Sequence, residues 1–356
     1  MGVLVGMIGL THPHSPGYLR TLDALDVVDG VVLCDPVAAA REQAAQQCRK
    51  AEQRHVDLES LLARSDVPIV LVALPTDRVP DVVTRAARAG KHVICEKPCA
   101  RSADELRPVL AVLEEHRVQF TTCYLWRNNP AIQKMRELVR AGALGRLTSV
   151  ELRMVTTQVR LRDPSHWLFK RDVAGGGILS WLGCHWLDLL RYLTGQEAVS
   201  VSAMVDTLSG EAIDVEDVAS VNLRLSDGAL ASLYAGYLLP SGRPGYEAAS
   251  YDQSIILRGT QGTLRFDKDG DDQIVTLESS AVGWQTAPRQ AYRLSLPAHP
   301  AYGGVHGLAF LDDFIRRALG GEGQDLVSAD DALRVLEILD AAYLSARSGR
   351  TVDVRR

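Results

Sequence analysis

The first 123 residues alternate short, unbroken apolar runs with stretches of helical character, and no other feature limits the possible folds so strongly. VLVGMIGL (3–10), VVLCD (31–35), PIVLVAL (68–74), HVIC (92–95) and VQFTTC (118–123) read as strands. Between them lie a helical stretch from about Ser15, the Ala/Gln/Arg-rich VAAAREQAAQQCRK, RVPDVVTRAARAG and SADELRPVLAVLEEH. The second of these is a strong helix former, and Ser102 with Glu105 makes a capping box for the last. Apolar runs that do not alternate are buried on both faces, and with helices between them they imply a doubly wound parallel α/β sheet. Such a sheet binds ligands beyond the carboxyl ends of its strands, near the switch point.

Three strand ends therefore matter: the Gly9 turn, Asp35 and the CEKP stretch at 95–98. Asp35 stands 26 positions after Gly9. A carboxylate there can accept both ribose hydroxyls of an adenosine and repels a 2′-phosphate. Pro36 follows it and the next arginine is Arg41, so NAD is expected rather than NADP. The competing reading makes Asp35 a cap for the following helix. The turn GLTHPHSPGYL (9–19) keeps only the first glycine of Gly-x-Gly-x-x-Gly, with Thr11 and His14 at the later two places. Thr11 can give its hydroxyl to a phosphate, although its Cβ narrows the approach. No acid or thiol stands beside His12 and His14 in the sequence, and no metal site is expected. The expected cofactor-binding positions are Gly9, Thr11, His12, His14, Asp35, Leu74, Pro75, Thr76, Glu96 and Lys97.

From about residue 125 the pattern changes to alternating strands, among them SVELRMVTTQV, DVASVNLRLSDG, ALASLYAGYLL, SIILRGTQGTLRF and QIVTLES. Turn signals stand at Asp227-Gly228 and Gln261-Gly262. This predicts an α+β layer: a mostly antiparallel sheet with a helix over 176–193 and two more near 304–320 and 328–345. At 356 residues the chain is too long for one ordinary core. The expected division is 1–123 and 124–356, with the boundary near Tyr124. A net charge of −5 offers no basic field, which speaks against a nucleic-acid partner. No stretch approaches the roughly 20 apolar residues of a membrane span, and the opening MGVLVGMIGL reads as a strand rather than a signal peptide. The six cysteines form no CxxC pair, so reduced, buried thiols in a cytoplasmic protein are expected.

One more segment stands out, GGGILSWLGCHWLDLLRYLTG (175–195). At 100° per residue Leu179, Leu182, Trp186, Leu189, Leu190 and Leu193 gather on one helical stripe. Trp181, His185, Asp188 and Tyr192 follow at spacings of 4, 3 and 4 on a separate one. The second stripe suits a functional site. A structural His185–Asp188 hydrogen bond is the other reading.

Four segments in order resemble the Gfo/Idh/MocA family, that is glucose–fructose oxidoreductase, inositol dehydrogenase and their relatives. They are AGKHVICEKPCA (89–100), YLWRNNPAIQKMRELVRAGALGRLTSVE (124–151), AGGGILSWLGCHWLDLLRYLTG (174–195) and DALRVLEILDAAYLSARSGRTVDV (331–354). The resemblance implies an N-terminal Rossmann domain and a C-terminal, dihydrodipicolinate reductase-like sheet domain that builds homodimers or homotetramers through its open face. It implies a nicotinamide cofactor and hydride transfer at a sugar or cyclitol carbon. Lys97 matches the family's catalytic lysine, the Lys97–Pro98 bond is commonly cis there, and His185 matches its active-site histidine. Tyr124, Arg127, Trp167, Lys170, Trp181 and Asp188 join Lys97 and His185 as expected substrate-binding positions.

One departure stands in the helix: Trp181 occupies the place where the polyol dehydrogenases usually carry an aspartate. An indole there can stack on a pyranose face or an aromatic aglycone. The chemistry itself needs a base for the hydroxyl proton while hydride leaves for the nicotinamide. Lysine serves once its pKa falls from about 10.4, and histidine can share the proton. The first expectation is thus an NAD-dependent oxidoreductase acting on a sugar, glycoside or cyclitol. A glycoside hydrolase or lyase that oxidises the ring transiently and eliminates the aglycone is the alternative. A non-catalytic sugar- or cofactor-binding member is a further one.

Overall fold

The apolar runs of the first third become five parallel strands in the computed structural model, which describes residues 2–52, 56–240, 243, 249–269, 272–322 and 327–355. They are β1 (Val3–Ile8), β2 (Val28–Cys34), β3 (Ile69–Val72), β4 (His92–Cys95) and β5 (Phe120–Thr122), in the order β2-β1-β3-β4-β5. All four residues of β3 are buried, as a central parallel strand requires. Five helices belong to the same stretch: α1 (Ser15–Ala24), α2 (Ala38–Gln47), α3 (Leu58–Leu62), α4 (Val79–Arg88) and α5 (Ala103–Glu115). Ser102 caps α5 by accepting from the Glu105 N–H. The Glu105 carboxylate reaches back one residue further than a capping box would, to the Arg101 N–H at 3.0 Å.

The chain forms two compact units. The first comprises 1–125, 172–175 and 297–333, and the second 126–171, 176–296 and 334–356. The sequence suggested a single crossing near Tyr124, with everything after it in one domain. The return of 297–333 to the first unit has a local cause. That segment carries α9 (Gly304–Ala318), which lies against α1 and β4. The Tyr302 N–H donates to Thr21 Oγ1 at 2.9 Å, and Arg20 Nε donates to the Pro300 carbonyl at 2.8 Å.

The second unit is built on a nine-stranded sheet in the order β13-β12-β11-β10-β6-β9-β8-β7-β14. Its strands are β6 (Leu147–Thr157), β7 (Ala198–Asp206), β8 (Val218–Leu225), β9 (Leu230–Leu239), β10 (Tyr251–Gly259), β11 (Gly262–Asp269), β12 (Asp272–Ser279), β13 (Arg289–Ser295) and β14 (Val352–Asp353). All pairings are antiparallel except β6 with β9. The alternation in β8 and β9 buries every second residue, so one sheet face is covered and the other open. Helices α6 (Pro130–Arg140) and α8 (Cys184–Thr194) pack on each other and on this sheet. The remaining helices are short α7 (Arg171–Ala174), nearly all of it in the first unit, and long α10 (Ala329–Ser348), most of it in the second. Among the described residues, no helix is long and apolar enough to cross a membrane.

Candidate active site

In the first unit the sheet reverses its winding between β1 and β3, and Gly9 stands at that switch point. Its φ is +90°, and a Cβ there would lie 2.0 Å from the Ala73 carbonyl oxygen and 2.8 Å from Leu74 Cδ2. Only glycine fits. The turn is then tied to the end of β2, because Asp35 Oδ2 accepts the Leu10 N–H at 2.7 Å. Asp35 Oδ1 accepts the Val37 N–H at 2.8 Å, so the carboxylate also performs the capping role weighed against its ribose role. Each oxygen keeps a lone pair after these bonds, and both readings fit one residue. Thr11 is exposed, Leu74 and Thr76 are buried, and Pro75 is half-buried. A tight glycine turn closed on the end of β3, beside a buried carboxylate at the neighbouring strand end, fits a dinucleotide held at Gly9, Thr11 and Asp35.

The remaining expected cofactor residues of this unit converge on a buried carboxylate. Glu96 ends β4, and its N–H continues the ladder to the Val72 carbonyl. Its Oε1 lies 2.8 Å from His14 Nδ1 and 3.7 Å from Lys97 Nζ, while Oε2 accepts the Tyr18 hydroxyl. The Tyr302 hydroxyl lies 2.8 Å from the same His14 Nδ1. Burial pushes the Glu96 carboxyl above its ordinary range, against the pull of Lys97 and His12. Burial likewise drives the Tyr18 hydroxyl well up, with Cys123, Glu96 and Tyr302 adding to it. The Lys97–Pro98 peptide bond is cis.

His14 occupies the place of the third fingerprint glycine. There it reaches the end of β4 instead of admitting close helix–strand packing. His12, His14 and Glu96 bring possible metal-ligand atoms within 4.8 Å of one another, a grouping the sequence did not suggest because Glu96 lies 82 positions from His14. His12 Nδ1, however, accepts the His14 N–H at 3.1 Å. A ring bound to a metal through Nε2 carries its proton on Nδ1 and would not accept there. Tyr18 and Tyr302 were missed. Tyr18 was within reach, one turn after His14 on the same helical face, whereas Tyr302 comes from 288 positions away with no local signal.

In the second unit the glycine-rich segment departs from a regular α-helix. Leu179–Gly183 is a π-helical turn, and α8 begins only at Cys184. Wide turns of this kind are frequent at functional sites. The expected division into an apolar and a polar stripe is corrected: every residue from Cys184 to Arg191 is buried, His185 and Asp188 included. Asp188 is bound bidentately by Arg127, with Nη2 at 2.6 Å and Nε at 3.0 Å. The Arg127 guanidinium also lies 5.0 Å from the centre of the Tyr192 ring. Two expected substrate contacts are thus each other's partners, joining α8 to the residues before α6.

Trp181 is 4% exposed and meets Trp167 edge-to-face at 6.1 Å, which leaves little of its face for a ligand. Trp167 and Lys170 are half-buried at a short 3₁₀ turn. Tyr124 is buried in the first unit. A further residue, Glu216, went unnoticed in the sequence. Its Oε1 accepts the Leu179 N–H at 3.1 Å and the Tyr343 hydroxyl at 2.9 Å, which anchors the π turn.

Comparison with known proteins agrees with this architecture. Residues 3–124 match an oxidoreductase family with an NAD-binding Rossmann fold, and residues 132–265 match the GFO/IDH/MocA C-terminal domain. The chain is similar to the levoglucosan dehydrogenase of Pseudarthrobacter phenanthrenivorans, at 27% identity over 98% of this chain and 97% of that one. It is similar to the inositol 2-dehydrogenase of Rhizobium meliloti at 28% identity, with the same coverage of 98% and 97%. A solved levoglucosan dehydrogenase in complex with NADH superposes with a TM-score of 0.83 at 25% identity, over 100% of both chains. With both of its parts matched in order and a parallel dinucleotide sheet leading into a mostly antiparallel one, the chain belongs to the Gfo/Idh/MocA family of oxidoreductases.

Proposed function

We propose that this oxidoreductase uses NAD in preference to NADP and acts on a secondary alcohol of a sugar, glycoside or cyclitol, with Lys97 as the base and His185 assisting. The observation that carries the reading is the Lys97 side chain, fully buried at the carboxyl end of the parallel sheet with its Nζ 3.7 Å from the Glu96 carboxylate. A lysine held there, one strand from the Gly9 switch point, is difficult to explain as a solvated surface residue. The relatives' names, levoglucosan and inositol dehydrogenase, support the substrate class.

A nicotinamide dinucleotide, when bound, supplies or accepts the hydride. The chain's own work is to hold it and to manage one proton. Gly9 lets the turn close tightly on the end of β3, the part a first fingerprint glycine plays. Asp35, with both oxygens fixed by backbone N–H groups, presents a charge that suits ribose hydroxyls and opposes a 2′-phosphate. The neutral Lys97 amine takes the hydroxyl proton during oxidation and returns it during reduction. His185 is assigned its share by the family resemblance.

The same reading includes a homo-oligomer formed through the open face of the nine-stranded sheet. Met204 and Tyr234 stand in one cross-strand row there, 75% and 43% exposed, with Leu230 on the same side. Six buried free thiols suit a reducing cytoplasm. The test is a panel of levoglucosan, myo-inositol and common aldoses, each offered with NAD⁺ and with NADP⁺ while reduced cofactor is followed. Turnover with NAD⁺ on at least one of them is expected. Binding of neither dinucleotide by calorimetry would remove the proposal.

A further inference from the structure

The Gly9 turn is poor in the backbone donors that a full glycine fingerprint offers a pyrophosphate. Pro13 and Pro16 have no N–H. The Leu10 N–H is taken by Asp35, the His14 N–H by His12 Nδ1 and the Ser15 N–H by the His12 carbonyl. What the turn brings instead is two buried imidazoles, 5.2 Å apart, at the start of α1. We propose that His14 takes up a proton when a dinucleotide binds, so that an imidazolium supplies the positive charge that N–H groups supply elsewhere. This rests on the Gly9 turn holding the pyrophosphate of the cofactor.

The hydrogen bonds decide which nitrogen gains the proton. His12 Nδ1 accepts the His14 N–H at 3.1 Å and cannot be protonated without losing that bond. His14 Nδ1 lies 2.8 Å from Glu96 Oε1 and carries the first ring proton, because two lone pairs repel at that distance. The Tyr18 hydroxyl donates to Oε2, so the carboxylate meets a donor on each oxygen and is held as the anion. The second proton of His14 therefore goes to Nε2, which turns the contact with Glu96 into a buried ion pair. The Tyr302 oxygen lies over the face of the same ring, 2.8 Å from Nδ1 and 3.4 Å from Nε2, and forms no in-plane bond with either. A partly negative oxygen in that place favours the charged ring.

The other titratable groups around the pair are His12 in the turn, Tyr18 on α1, Lys97 after β4, Cys123 after β5 and Tyr302 before α9. Asp35 closes the turn from the end of β2. Lys97 Nζ stands 3.7 Å from Oε1, beyond hydrogen-bond reach, and meets it only as a charge. One carboxylate offsets one cation, so positive charge on Lys97 and on His14 compete in this buried place. The negative charge of a pyrophosphate at the turn lifts that limit, and solvent provides the proton. Affinity for the dinucleotide therefore rises as pH falls through the titration of His14. Adenosine, which has no phosphate, gains nothing from it.

The test follows His14 directly. In wild-type protein labelled with ¹⁵N-histidine, saturating ADP-ribose near neutral pH should move the His14 Nε2 resonance to its protonated position. Adenosine should leave it in place, and His14→Gln identifies the resonance. By calorimetry the Kd for NAD⁺ should tighten about 10-fold from about pH 8 to about pH 6 in the wild type. His14→Gln keeps an amide to donate to Glu96 but does not titrate, and its Kd should change by about 2-fold or less over that range. His12→Asn keeps a side-chain acceptor for the His14 N–H and should retain the wild-type dependence. A His14 Nε2 that ADP-ribose leaves unchanged, or that is protonated before any ligand is added, overturns the proposal without help from a variant. So does a pH dependence that survives in His14→Gln or is lost in His12→Asn. If neither NAD⁺ nor ADP-ribose binds at any pH, the oxidoreductase reading falls and takes the coupling with it.

Discussion

Each unit buries a glutamate completely, and the two are held in opposite ways. Glu96 is surrounded by groups that can themselves gain or lose a proton: His14, Tyr18 and Lys97. Glu216 is held by a backbone N–H from Leu179 and by the Tyr343 hydroxyl, both on Oε1, and Oε2 has no hydrogen-bond partner. Burial pushes both carboxyls upward. The same chemical group therefore sits in a cluster of titratable groups in one place and acts as a bolt in the other, and the neighbours decide which. The bolt fastens a wide turn, since Leu179 opens the π-helical stretch that leads into α8 and His185.

The comparison is broken most severely at the Glu96 end, beside Lys97. Lys97→Met should cost about 10²–10⁴-fold in kcat and leave NAD⁺ affinity near wild type, read by steady-state rates and calorimetry. A rate loss confined to KM would place Lys97 among the binding groups instead. Next comes a fixed charge in the second unit, the Asp188–Arg127 pair, both members buried. Asp188→Leu strands the guanidinium and should cost about 3–5 kcal/mol in denaturant unfolding. Adding Arg127→Met should recover much of that loss, because the penalty belongs to the orphaned charge more than to the missing pair.

These three residues also show what the sequence could reveal. Lys97 was legible because it follows a four-residue apolar run, HVIC, that returns as β4 with the same bounds. A strand end is a local event. Gly9 and Asp35 were legible for the same reason, and so were α9 and α10 within a few residues. Arg127 and Asp188 were each singled out, but not as partners. Their contact spans 61 positions, and helical periodicity says nothing about what faces a stripe. The regular 100° step also failed at Leu179–Gly183, where tertiary contacts from Glu216 support a π turn that propensity does not foretell. The His14–Tyr302 contact was illegible because a segment 288 positions from His14 rejoins the first unit.

The bolt itself can be tested by filling the room that lets it close. A Cβ on Gly177 would come 1.9 Å from the Glu216 carbonyl oxygen, which accepts the Ile178 N–H at 3.1 Å. Gly177→Ala should therefore destabilise by about 1–3 kcal/mol in denaturant unfolding, since backbone cannot step aside as a side-chain tip can. Retention of wild-type stability would mean that the turn is not locked by this contact.

The smallest effect concerns the charge on Glu216. Its folded pKa lies above the ordinary carboxylate value because burial disfavours the anion, with hydrogen bonds from the Gly177 backbone and Tyr343 among the contacts that only partly offset this. The folded state thus binds this proton more tightly than the unfolded one. That contribution to stability is full below the unfolded pKa and is lost as pH rises through the folded pKa. Glu216→Gln keeps an oxygen for Leu179 and Tyr343 to donate to, and it removes the titration. The Tm of Glu216→Gln relative to wild type should therefore rise as pH climbs from the acid side through the carboxylate range to neutrality. The difference between the two proteins is the quantity to read, because other carboxylates, such as Asp23 beside Arg49, are shifted downward and pull the total the other way. A difference that stays flat with pH would mean that the buried anion is already compensated. Glu216 would then resemble Glu96 more closely than its neighbours suggest.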